Sequence, residues 1–104
     1  MYLSRIFKVR EGKLDKITEW FTLLRTTRSK EAVATFECEG VSREVWALFK
    51  GIDGNHYVIG LNEAEGIPQK GDLSIQINQE HRAMKEECLE PISDPGKVLM
   101  DLRL

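Results

Sequence analysis

Apolar and polar side chains alternate at the start of this chain. From residue 2 to residue 10, Leu3, Phe7 and Val9 fall on one side and Tyr2 and Ile6 on the other. That is the period of a strand with apolar residues on both faces. Glu11-Gly12 breaks the pattern, and from Lys13 the period lengthens. Leu14, Ile17, Phe21 and Leu24 recur at helical spacing, with Trp20 at the edge of their stripe. A polar run over residues 25–29 interrupts the stripe. It resumes at Ala32, Val33 and Phe36 and stops at Gly40, a residue suited to closing a helix in the left-handed region. A break near Arg28-Ser29 is predicted, with Ser29 as a second N-cap.

Residues 42–50 and 55–62 are rich in β-branched and aromatic side chains and are joined by Gly51-Ile52-Asp53-Gly54. An Asp-Gly pair between such runs predicts a hairpin, because glycine accepts the positive φ of the turn. In the first run Val45 and Phe49 oppose Trp46 and Leu48. In the second Tyr57, Ile59 and Leu61 oppose Val58. Residues 63–72 are polar, hold Gly66, Pro68 and Gly71, and read as a loop. A second main helix then runs to Pro91, whose ring cannot continue it. Either Asp72 caps this helix, placing Leu73, Ile77, His81, Met84 and Cys88 on one stripe, or Asn78 caps a shorter one. After a turn at residues 93–96, Val98, Met100, Leu102 and Leu104 alternate with Lys97, Asp101 and Arg103, the pattern of a last strand.

The element order is therefore β-α-β-β-α-β. Right-handed crossovers turn it into one α+β domain over residues 1–104. It is the ferredoxin-like arrangement, a four-stranded antiparallel sheet with both helices on one face. The helices cover only one face of a sheet that is apolar on both. The uncovered face exceeds what a soluble monomer usually exposes, which predicts a homodimer built sheet to sheet.

Composition narrows the function classes without choosing one. A formal net charge of −2 gives no general attraction to nucleic acid or to an anionic membrane surface. No apolar run is long enough for a signal peptide or a membrane-spanning helix, so a cytoplasmic location is expected. Cys38 and Cys88 stand alone, without metal-ligand spacing, and read as reduced structural thiols. No phosphate loop, nucleophile elbow or zinc motif appears, and the chain calls for no metal and no cofactor.

The candidate chemistry gathers on residues 78–91, NQEHRAMKEECLEP, which hold one of two histidines and one of two cysteines. His81 is the candidate catalytic residue. Placed in a first helical turn its imidazole would be kept neutral by the helix dipole, able to accept a proton or ligate haem iron. Trp20, Trp46, Tyr57 and His81 could together line a site for a small, partly apolar molecule. The competing reading makes the same four residues ordinary packing groups of an interaction or structural domain. Glu80 and Arg82 should point outward, and His56, beside the hairpin turn, should be exposed.

The layout, with EWF at Glu19–Phe21 and EHRAMKEEC at Glu80–Cys88, resembles a bacterial domain family of unknown function among the dimeric α/β-barrel proteins. The resemblance implies the ferredoxin-like fold and a dimer, and brings no catalytic assignment. Better-known relatives of that fold include cofactor-free antibiotic-biosynthesis-type monooxygenases and haem-degrading monooxygenases, whose ligands lie between sheet and helices. A haem-degrading site would also draw on Ser4 and Trp46.

Overall fold

A computed structural model describes residues 1–66 and 69–104, so Pro68 of the predicted loop lies outside the described residues. Four strands, β1 (Tyr2–Val9), β2 (Val41–Lys50), β3 (His56–Ala64) and β4 (Leu89–Pro91), form one sheet in the order β2-β3-β1-β4. Every neighbouring pair is antiparallel. Helices α1 (Leu14–Arg25), α2 (Ser29–Val33), α3 (Phe36–Glu39) and α4 (Gln76–Cys88) complete the chain, and the fold is ferredoxin-like.

The register sorts the strand residues by face. Phe7 pairs with Val58, Arg5 with Gly60, and Trp46 with Gly60 from the other side, and these face the helices. Ile6 pairs with Ile59, Val45 with Leu61, and Phe49 with Tyr57 on the opposite, open face. The core lies between sheet and helices: Val9, Ile17, Trp20, Val58, Ile77, Cys88 and Leu89 are buried together. Trp20, read from the spacing as an edge residue, is only 4% exposed and sits in the middle of this cluster. Burying its ring and the Ile17 side chain holds α1 to the sheet.

The hairpin forms where the Asp-Gly pair places it. Gly51 N–H donates to the Asn55 carbonyl at 2.7 Å, and Gly54 takes a φ of 86°. The Asp53 carboxylate accepts from the Asn55 amide and from the Tyr57 hydroxyl, which holds that carboxyl below its usual range. The helical stripe breaks at residues 26–28 as predicted, but Ser29 opens α2 as its first residue and makes no side-chain cap. Gly40 closes α3 with a φ of 70°. Neither predicted cap starts the second main helix. Asp72 closes a turn on the Ser74 amide, and α4 begins at Gln76 behind extended Ile75.

The largest departure concerns the last strand. Residues 97–104 form no strand. The sheet is completed by Leu89–Pro91, paired with residues 7–9 of β1. Leu89 leaves the helix directly into extended backbone (φ −124°, ψ 139°) and is 1% exposed. A buried leucine at the helix end outweighs the surface alternation of Val98, Met100, Leu102 and Leu104. Pro91 is accommodated because β4 is an edge strand, where a missing N–H breaks no ladder. Beyond β4 the chain follows β1, with the Ile92 amide on the Ile6 carbonyl and the Gly96 amide on the Ser4 carbonyl. It then crosses the open face, where the Arg103 guanidinium donates to the Tyr2 hydroxyl at 2.7 Å and to Glu63 at 3.1 Å.

Candidate functional site

One histidine, two tryptophans and a glutamate converge beneath α4. Trp20, from α1, donates its indole N–H to His81 Nδ1 at 2.8 Å. An indole N–H can only donate, so Nδ1 is the bare nitrogen and the imidazole proton sits on Nε2. That proton faces Glu44, whose Oε1 lies 4.0 Å from Nε2 and accepts the Trp46 indole N–H at 2.9 Å. The separation is too long for a direct hydrogen bond and leaves room for a ligand atom or a water. The rings of Trp46 and Phe21 both meet His81 edge-on at 6.2 Å, and Phe21 lies tilted against Trp46 at 5.0 Å.

Local structure explains the cluster. Glu44 and Trp46 are two residues apart on β2 and share its helix-facing side. Trp46 lies flat over its cross-strand neighbour Gly60, where a side chain would meet the ring at 2.8 Å, so only glycine permits that approach. Arg28 stacks over the Trp20 ring at 5.5 Å and is held by Glu80 at 2.6 Å and Glu31 at 2.7 Å. Those two carboxylates raise the Arg28 pKa still further above its ordinary value. Glu80 therefore turns inward to Arg28, whereas Arg82 lies outward and pairs with Glu86.

His81 falls in the second turn of α4, beyond the reach of the helix dipole that a later helix start would have brought into play. Burial instead, reinforced by the nearby Lys85 ammonium, pushes its pKa down to about 4. The imidazole is neutral, with Nε2 as a hydrogen-bond donor rather than a base or an iron ligand. Haem does not fit these residues: Ser4 lies on the open face, Trp46 on the helix face, and the free nitrogen of His81 carries its proton.

Beside His81 runs a cleft of about 310 Å³, with Leu24, Ala32, Phe36 and Ile77 as apolar wall and Glu39, Glu44 and Lys85 among its polar groups. Burial, and then repulsion from Glu44, raises the Glu39 pKa. An adjoining apolar groove of about 340 Å³ shares Leu24, Ala32, Phe36 and Glu44 and is walled by Phe21 and Trp46. The structure thus brings Trp20, Trp46 and His81 together. It places Tyr57 apart, on the open face against Asp53.

Glu39, Glu44 and Lys85 were not singled out by the sequence. Two signals were there to find them. Alternation from Trp46 puts Glu44 on the buried face, and Lys85 follows His81 by one helical turn. Glu39 sits at the end of a short helix and carried no such signal. Cys88 is buried, its thiol pushed up by that burial, and Cys38 is exposed and unpaired to it. His56, expected to be exposed, is half-buried as the first residue of β3. Among the described residues no group of three or more His, Cys, Asp or Glu side chains is placed to hold a metal ion. No helix among them is long and apolar enough to cross a membrane.

A model described as a family of unknown function (DUF6176) matches residues 2–103. The chain belongs to that family. No curated protein and no solved structure matches it. The DUF6176 match takes in all four strands and all four helices, so the whole His81 cluster lies inside the family's span.

Proposed function

We propose that this DUF6176 protein, of bacterial type and akin to the dimeric α/β-barrel proteins, is a cytoplasmic homodimer that binds a small, partly apolar molecule between sheet and α4. The observation that carries this reading is the arrangement around His81 Nε2. A half-buried, neutral N–H is aimed across 4.0 Å at a carboxylate, with no direct partner among the described residues, at the edge of a cleft walled by aromatic and aliphatic side chains. A donor that opens onto a cleft opposite a carboxylate suits an occupant that accepts from His81 and donates to Glu44. Such a site orients a ligand and, if catalysis occurs there, stabilises negative charge by hydrogen bonding, without covalent or redox chemistry from the side chains. Native mass spectrometry of the protein as purified tests it directly. A retained small molecule, lost in His81→Ala, is the expected result.

A second reading is favoured by one specific contact. The Trp20–His81 hydrogen bond joins α1 to α4 across the core, as it would in a domain with no ligand at all. An empty native spectrum, together with a His81→Ala variant that loses only stability, would select this reading.

A further inference from the structure

We infer that the cleft takes a small organic acid, its carboxylate among Arg5, Lys70 and Lys85 and its apolar body against Leu24, Ala32 and Phe36. This rests on the reading of the cleft as a small-molecule site and names the class of molecule.

The cleft beside His81 opens into a second of about 550 Å³ that shares Glu39, Lys70, His81 and Lys85 with it and adds Arg5 and Arg82. Arg82 is engaged by Glu86 at 3.0 Å. Among the described residues, Arg5, Lys70 and Lys85 form no ion pair within 4.0 Å, whereas Lys13, Lys16 and Arg28 each pair with a glutamate. Lys85 is half-buried as well, and it lines both cavities beside His81. Arg5 reaches the site because the β1 register puts it, opposite Gly60, on the helix-facing side of the sheet.

The charges are segregated along the cavity. Glu44 stands at the aromatic end and is occupied by the Trp46 indole, while Arg5, Lys70 and Lys85 stand toward the open end. Between them, His81 Nε2–H adds a neutral donor. Among the described residues, Glu39 is the one carboxyl lining the cationic side. Burial raises its pKa, and the nearby Lys85 ammonium works against that rise. A free amine would face three cations. Inorganic phosphate would satisfy those cations but leave the Leu24, Ala32 and Phe36 wall without a partner. A carboxylate on an apolar body uses both halves.

Calorimetric titration of the full chain near pH 7 with phenylacetate, phenylacetamide, 2-phenylethylamine and inorganic phosphate tests the inference. Phenylacetate should bind tightest, about tenfold over the neutral amide, as charge-assisted hydrogen bonds imply. That margin should shrink as salt is raised. Lys85→Met and Arg5→Gln should each cut the margin to within about threefold while the melting temperature stays unchanged. Neither side chain has an ion pair to lose, and Lys70→Gln supplies the same comparison should either variant unfold. Amide binding as tight as acid binding, tightest binding of the amine, or binding of phosphate alone overturns the acid class and leaves the small-molecule reading standing. No binding of any of the four overturns the inference. Joined with an empty native mass spectrum, it removes the small-molecule reading too.

Discussion

At the scale of single residues, the hydrogen bond from Trp20 to His81 Nδ1 and the burial of the ring act in the same direction. Both oppose the imidazolium. The folded state refuses the proton down to pH about 4, while the unfolded chain accepts it near 6.5. Unfolded protein therefore binds more protons in that window, and stability falls as pH drops through it. The contribution of His81 is fully present above pH 6.5, and losing it costs about 3 kcal/mol at most. Glu31, Asp72 and Glu87, held low by their partners, lose stabilisation in still stronger acid, and Glu39, held high, acts in the opposite sense. Urea melts at pH 7 and pH 5 separate the histidine from these low-lying carboxylates, which titrate below that range. His81→Gln, whose amide oxygen can still accept from Trp20, should lose much less stability between the two. Equal losses in both proteins would show that His81 is not the titrating group. A second residue-scale prediction concerns Gly60. Gly60→Ala pushes against the Trp46 ring and should cost about 1–3 kcal/mol in a denaturant melt. It should also weaken ligand binding, because Trp46 walls the groove that adjoins the cleft and holds Glu44 in place.

The elements differ in how much of them the sequence disclosed. The first strand, the first helix and the hairpin were legible because each has one dominant period and a clear stop: Glu11-Gly12, the polar run at 25–29, Asp53-Gly54. The fourth strand was not. Three residues are too few to show a period, and Pro91 argues for a helix end when read locally but equally permits an edge strand. The alternation of residues 97–104 was real but belonged to a segment crossing the open face. Of the site, His81, Trp20 and Trp46 were legible as rare residue types on apolar stripes, whereas Tyr57 required the register to show its face. A pair of truncations separates the two candidate strands. Leu89→Ala, at a 1% exposed position, should cost about 2–5 kcal/mol in urea unfolding. Leu102→Ala, at an 81% exposed position, should cost under about 0.5 kcal/mol for an isolated chain. The reverse order would restore residues 97–104 as the structural strand.

Across the whole molecule, the two faces of the sheet have different fates. One is covered by α1 and α4. The other exposes Ile6, Val45 and Phe49, and the segment laid over it presents Leu99, Met100, Leu102 and Leu104 to solvent. Under the proposed dimer, light scattering should give twice the monomer mass at micromolar concentration, and Phe49→Arg, from a 51% exposed position, should return the monomer with its fold intact. A wild-type monomer at that concentration would remove the dimer from the proposal. The arrangement beneath α4 has one more consequence. The chain holds two tryptophans, and both donate their indole N–H groups into the His81–Glu44 pair. All of the protein's tryptophan emission therefore originates at the edge of the cleft. A proton gained by His81 or a molecule entering beside it changes the surroundings of both fluorophores at once. The protein carries its own optical probe of occupancy, readable without a label.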